Sequence, residues 1–218
     1  MTEIPLQKSL FGRNQTEADS NRARFARAGL AVVNLLSSPG AGKTSLLEQT
    51  AACLKGRVRV FVVEGDLETE RDADRIRAAG LPARQIQTHG ACHLDAAAID
   101  AALAGVDLKG YDLLLIENIG NLICPTGFDL GEDVRVVVAS TTEGDDKPHK
   151  YPEAYHGADV CVLNKIDLLP HVPFRVESFL AAARRANPNL VFLQTSCTSG
   201  QGIDAWCEFL CGLKKAPA

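Results

Sequence analysis

The run Ser37-Ser38-Pro39-Gly40-Ala41-Gly42-Lys43-Thr44 joins an apolar stretch to a Leu- and Ala-containing one. Those residue types in that order suit a phosphate loop. Gly40 and Gly42 let backbone N–H groups curl around phosphate oxygens, with Pro39, Ala41 and Ser45 completing the cradle. The start of the following helix adds partial positive charge. Lys43 is spaced for the β- and γ-phosphates, and the Thr44 hydroxyl for Mg²⁺. Ser37 stands where the P-loop pattern asks for its first glycine, but the Gly-Lys-Thr core is intact. Further on comes Asn164-Lys165-Ile166-Asp167. An aspartate there can accept from the ring N–H and the exocyclic amino group of guanine, a donor pair that adenine lacks. Asp167 therefore points to GTP and GDP over ATP. Asn164 can brace the loop and the base, and the Lys165 stem can lie over the base face. Ser196 and Cys197 bring a backbone N–H toward the guanine carbonyl oxygen.

Two acidic segments complete this chemistry. Glu64-Gly65-Asp66 and Glu117-Asn118-Ile119-Gly120 each end an apolar run. Asp66 and Glu117 can hold Mg²⁺ or its waters, or orient the attacking water. Glu64 is balanced between that role and a capping one. The Gly120 N–H can meet the γ-phosphate, which lets its loop sense GTP against GDP. Lys43, Asp66 and Glu117 form the expected catalytic set. No glutamine stands in a water-positioning place, so slow intrinsic hydrolysis is expected.

A third set is soft. Cys92-His93 and Cys124-Pro125 offer two thiolates and an imidazole, which suit tetrahedral Zn²⁺ or, with backbone nitrogens, planar Ni²⁺. Free thiols in two loops are the alternative, and His89 is a candidate fourth ligand. Cys124 belongs to the loop that begins with Glu117 and Gly120. A γ-phosphate that pulls on Gly120 would move Cys124, so metal affinity and nucleotide state would be linked reciprocally. Cys53, Cys161, Cys207 and Cys211 read as buried core thiols. His149, His156 and His171 are isolated, with solvated or capping roles.

The elements that must position these residues alternate. Strands are expected at 30–36, 58–63, 84–88, 111–117, 134–140, 159–164 and 190–195. Helices are expected at 42–54, 68–79, 93–103, 174–186 and 203–213. Strands apolar on both faces and separated by helices indicate an α/β fold with a mostly parallel sheet covered on both sides. Its crossovers are right-handed, and ligands bind at the carboxyl ends of the strands. Residues 1–28 read as a polar arm with a helix near Glu17–Ala28, and residues 29–218 as one P-loop GTPase domain carrying the metal site.

Composition excludes several functions. The 218 residues carry a net charge of −4. That leaves no basic field for nucleic acid or anionic lipid. No run of about 18 apolar residues exists to span a membrane, and the charged first 30 residues read as no signal peptide. Seven cysteines without framework spacing suit a reducing cytoplasm.

The Ser37–Thr44 loop, Ala91-Cys92-His93-Leu94-Asp95, the Glu117–Pro125 segment, Glu143-Gly144-Asp145-Asp146-Lys147-Pro148 and Asn164–Asp167, in that order, resemble the HypB family. The resemblance runs from about residue 20 to the end. These are GTPases that help insert nickel into [NiFe]-hydrogenase. The resemblance implies a SIMIBI-type GTPase fold and a homodimer that depends on nucleotide. It implies a Ni²⁺ or Zn²⁺ site of Cys92, His93 and Cys124 at the dimer interface. Implied partners are a nickel co-chaperone similar to HypA and the hydrogenase large-subunit precursor. No cysteine precedes Cys53 and no histidine precedes His89, so a nickel-storage role is not expected. Lys147 or Lys150 reads either as a finger reaching a nucleotide across the dimer or as part of a solvated loop. Three rivals remain: a urease-type nickel GTPase, whose Cys-Pro-His tripeptide is absent here, a metal-binding module with incidental GTP turnover, and a P-loop kinase.

Overall fold

The computed structural model describes residues 5–66, 71–88 and 90–215. In chain order the elements are helix α1 (Pro5–Ala28), β1 (Ala31–Ser37), α2 (Lys43–Leu54), β2 (Val60–Asp66), α3 (Arg71–Ala78), β3 (Ala83–Gln87) and α4 (Ala96–Ala102). There follow β4 (Leu113–Gly120), β5 (Val134–Ser140), α5 (Lys147–Lys150), α6 (Pro152–His156), β6 (Val160–Asn164), α7 (Val176–Ala186), β7 (Val191–Gln194) and α8 (Ile203–Gly212). The strands form a seven-stranded sheet in the order β3-β2-β4-β1-β5-β6-β7. Every pairing is parallel. The family-level expectation of an α/β parallel sheet therefore holds, with one refinement. The inner strands are buried over most of their length, but the edge strands β3 and β7 are half exposed.

Side-chain alternation sends successive strand residues to opposite faces. Val33, Leu35, Val62, Leu115 and Val136 meet α2 and α8 on one face. There the buried Trp206 indole donates to Thr50 Oγ1 at 2.9 Å and joins the two helices. On the other face Val32, Val63, Leu114 and Ile116 meet α1 and α4. Beyond them Val137, Cys161 and Leu163 meet α6 and α7. A buried leucine or valine in such layers contributes about 1.5–3 kcal/mol.

The helix expected near Glu17–Ala28 begins at Pro5. Its low apolar content had disguised it, yet Ala18 and Phe25 are fully buried. Asn14 Oδ1 accepts from the Ala96 N–H at 2.9 Å, and Asn21 Nδ2 donates to the Ala96 carbonyl at 2.8 Å. Thus α1 holds both sides of the first residue of α4. The helix expected over 93–103 starts only at Ala96, because Asp95 caps it by accepting from Ala98 N–H at 2.8 Å. Cys92 and His93 lie in the turn before it. The expected start of the helix at Glu68 falls outside the described residues, as does His89.

Candidate functional site

Strand β1 is central, with β4 on one side and β5 on the other. The loop leaving its carboxyl end therefore opens between two neighbouring strand ends, where ligands bind in such sheets. Gly40 and Gly42 there have φ of 76° and 99°, a region that favours glycine. A Cβ on Gly42 would also strike the Asn164 amide at 2.5 Å. Lys43, the first residue of α2, is buried and donates to Ser37 Oγ at 2.7 Å. So the serine in place of the first P-loop glycine supplies the lysine's acceptor. Burial pushes the Lys43 ammonium pKa down, opposed by Glu117 and Glu64.

Around this loop lies a cavity of about 360 Å³ lined by Pro39, Gly40, Gly42, Lys43 and Thr44. Its remaining wall includes Glu64, Asp66, Asp72, Arg75, Glu117 and Gly120. Thr44 donates to Glu117 Oε1 at 2.8 Å. Ligand oxygens of Glu64, Asp72 and Glu117 lie within 4.8 Å of one another. The second oxygens of Glu64 and Glu117 are buried without a hydrogen-bond partner. Burial, aided by Glu117, raises the Glu64 pKa to about 8. Burial also raises Glu117 to about 7, opposed by Lys43 and the Thr44 hydroxyl. Orphaned carboxylate oxygens beside a threonine hydroxyl are the donor set a hard cation such as Mg²⁺ takes. A larger, open groove of about 660 Å³ near Arg77, Arg84 and Tyr111 lies by the starts of the strands and holds none of these residues.

The residues expected to read the base are joined to the same loop. Asn164, at the end of β6, donates to the Ala41 carbonyl at 3.0 Å. Lys165, with a φ of 61°, donates to the Gly40 carbonyl at 2.7 Å. Ser196 Oγ donates to Asp167 Oδ1 at 2.6 Å, and the Cys197 thiol to Asn164 Oδ1 at 3.4 Å. The phosphate-end cavity stops short of Asp167 and Ser196. Ser45 faces away from this set and accepts from Arg75 Nη2 at 3.3 Å.

Cys92 and Cys124 are brought together. The neighbouring Cys124 thiol raises the Cys92 pKa. Cys92 Sγ lies 3.7 Å from His93 Nδ1. The His93 ring stacks on Phe128 with centroids 3.8 Å apart. Burial lowers its pKa. Cys92 is thus central, but the three donors are not gathered on one point. Among the described residues, the only trio within 4.8 Å of one another is Glu64, Asp72 and Glu117.

Two asparagines of β4 and its exit hold the thiol turn, and the second also reaches the phosphate loop. Asn118 Oδ1 accepts from Leu94 N–H at 3.3 Å. Asn121 Nδ2 donates to the Cys92 carbonyl at 3.3 Å, while its Oδ1 accepts from the N–H groups of Ile123 and Cys124 at 2.8 and 3.4 Å. Asn121 also bridges Ser37 through its backbone.

The other predicted residues separate. Cys161 and Cys207 are buried, but Cys53 and Cys211 are only half-buried, because both lie at the rim of their helix faces. Lys147 donates to Ser38 Oγ at 3.2 Å within the chain. Lys150 is exposed and paired with Asp146. His149 contacts Arg185, and His156 the Ala186 carbonyl.

Sequence reasoning gave no role to Asp72, Arg75, Asn121 or Glu143. Glu143 Oε1 is buried without a partner, and burial raises its pKa. Asp72 and Arg75, three apart on one helix, carried a signal only in that α3 follows Asp66.

Residues 31–194 match the CobW/HypB/UreG nucleotide-binding domain. A hydrogenase maturation factor HypB of Azotobacter vinelandii is 50% identical, over 95% of this chain and 68% of that one. The crystal structure of HypB from Helicobacter pylori in complex with nickel is similar with a TM-score of 0.88 and 35% identity, over 94% of this chain and 99% of that one. The signal recognition particle 54 kDa protein of Aeropyrum pernix, in complex with GDP, shares the fold alone. Its TM-score is 0.58 at 13% identity, covering 84% of this chain and 46% of that one. With a relative at that identity along nearly its whole length, the chain belongs to the HypB family of hydrogenase maturation factors.

Proposed function

We propose that this protein hydrolyses GTP and uses the nucleotide state to control a nickel ion held by Cys92, His93 and Cys124 during hydrogenase maturation. The observation that carries this reading is the position of Asn121. Its backbone meets Ser37 of the phosphate loop, and its side chain holds Cys92 and Cys124 at once. A shift at the phosphate end is therefore a shift of the thiols.

In the chemical step a water oxygen bonds to the γ-phosphorus. The bond to the β,γ-bridging oxygen breaks, and its electron pair leaves with GDP. The water protons end on inorganic phosphate and solvent. Lys43 and the loop amides bind the β- and γ-phosphates. Thr44, Asp66 and Glu117 would hold Mg²⁺ at this side of the cradle, with Glu64 and Asp72 close by. The ion would supply neutralisation of phosphate charge. Glu117 accepts from the Thr44 hydroxyl on the cavity wall beside the phosphate loop. It is therefore suited to orient the attacking water. Asp167, braced by Ser196, reads guanine, while Asn164 and Lys165 fix its distance from the phosphates.

The cargo is Ni²⁺, with Zn²⁺ taken by the same thiolates. Three protein donors leave coordination open to a second copy of the chain or to an acceptor. Ile123, 65% exposed beside Cys124, offers an apolar surface for such a contact. Dimerisation, a co-chaperone resembling HypA and the hydrogenase large-subunit precursor belong to this reading. A cytoplasmic location does too. It accords with seven free thiols, and among the described residues no helix is long and apolar enough to cross a membrane.

The test is titration of Ni²⁺ and Zn²⁺ into the protein with GDP and with a non-hydrolysable GTP analogue, tracking mass. Different metal affinities in the two states are expected; equal affinities overturn the coupling. A Lys43→Ala protein that still loads hydrogenase with nickel would favour a binding module whose turnover is incidental.

A further inference from the structure

Arg75 places a guanidinium on the wall of the phosphate cavity, one turn along α3 from Asp72. Its Nε and Nη2 donate to the two oxygens of Glu48, each at 2.9 Å. Nη2 also reaches Ser45 Oγ at 3.3 Å, and Nη1 reaches Asp72 Oδ1 at 3.0 Å. The fork is therefore held at the edge of the nucleotide cradle, against the residue that follows Thr44. The side chain is 44% exposed, so solvent can replace these partners when the fork leaves them.

The cavity wall holds the carboxylates Glu64, Asp66, Asp72 and Glu117 against two cations, Lys43 and Arg75. Lys43 is buried and pinned to Ser37. Arg75 is the cation of that wall with length and solvent access to follow charge as it develops. Its field already reaches Glu117. Guanidinium forks match phosphate oxygens bidentately.

We infer that Arg75 is a catalytic residue. On GTP binding its fork leaves Glu48 and donates to the γ-phosphate oxygens. It stabilises their charge while the water oxygen bonds to phosphorus and the bridging bond breaks toward GDP. This rests on the GTPase reading above. The competing role is a clamp that only holds α3 against α2.

The experiment measures GTP turnover, fluorescent GDP affinity and melting temperature for the full chain and for Arg75→Ala, Arg75→Lys and Glu48→Ala. Removing one donor to a developing oxyanion lowers kcat by about 100-fold or more. That loss is expected in Arg75→Ala with GDP affinity unchanged. Partial recovery is expected in Arg75→Lys, which keeps the charge without the fork. Glu48→Ala breaks the clamp but frees the arginine, so its turnover is expected to persist. A clamp alone would make Arg75→Ala and Glu48→Ala equal in turnover and melting, which overturns the assignment. If Arg75→Ala does not fold, a full wild-type kcat in Arg75→Lys overturns it instead. A wild-type protein that binds GTP without turnover overturns the GTPase reading and this assignment together. Wild-type turnover untouched by Arg75→Ala overturns this assignment alone.

Discussion

The side-chain amide of Asn121 donates to the backbone carbonyl of Cys92, 29 residues earlier in the chain, at 3.3 Å. Its oxygen meanwhile accepts from Cys124 N–H. One side chain thus sets the separation of two thiols. Groups that hold a metal's ligands in place are worth about 10–100-fold in metal affinity, and under the proposed function Asn121 is one. Asn121→Ala is expected to weaken Ni²⁺ binding by about tenfold or more and to leave GDP affinity intact. Competition titration with a metal-binding dye checks both. Unchanged Ni²⁺ affinity would remove Asn121 from the thiol geometry.

Gly120 packs against the phosphate loop so closely that a Cβ there would lie 2.9 Å from Pro39 Cα and 3.0 Å from Pro39 N. The neighbour is backbone and cannot turn aside. Such overpacking costs about 1–3 kcal/mol. Gly120→Ala is expected to lower nucleotide affinity by about ten- to a hundredfold and to blunt the response of metal binding to nucleotide. Calorimetry with GDP reads the first effect and repeating the metal titration reads the second.

Asp167 accepts from Ser196 Oγ at 2.6 Å, which fixes one carboxylate oxygen. An amide at this position offers guanine a donor where it needs an acceptor. Asp167→Asn is expected to lose GTP affinity by about 100-fold or more and to gain xanthosine triphosphate. Binding of both nucleotides to the same preparation is the measurement, and retained GTP affinity counts against guanine readout by this residue.

At the opposite pole, Asp112 accepts from the Arg59 backbone N–H and from its guanidinium at 2.8 and 3.2 Å, joining the starts of β2 and β4. The Arg59 side chain holds the Asp112 carboxyl at about 2. A depressed folded-state value gives stability present above the unfolded value of about 3.9. It is lost as pH falls through about 2. Because Arg59 is largely exposed, screening keeps the contribution small. Asp112→Asn is expected to lower the urea midpoint at neutral pH, with the gap to wild type closing as acid approaches the lower value. A gap that stays constant from pH 7 to pH 2 would refute it.

The placing of the expected phosphate and base residues around one loop is legible in the sequence, because a strand, a tight loop and a helix leave few places for Lys43, Thr44 and Asp167 to go. Parallel β1, β4 and β6 then bring their loops to one rim. The asparagine ties were not legible. Asn118 and Asn121 stand beside conspicuous residues, but their partners in the turn at 92–94 are fixed only by the approach of that turn to β4. Nor was α3 legible as a wall of the cavity, since Asp72 and Arg75 sit among other charges on a polar helix. The helix α1 was underestimated for the same reason. Its inward face uses Asn14 and Asn21, whose amides are satisfied by Asp129, Ala96 and Leu130, so apolar periodicity alone misses it.

Those two amides give α1 a mechanical task. Both grip Ala96, three residues after His93, while Phe11 lies on Phe128, the ring that backs the imidazole. The helix thus splints the turn that carries His93 as well as covering one face of the sheet. Under the proposed function, loosening this helix would free the His93 side of the metal site.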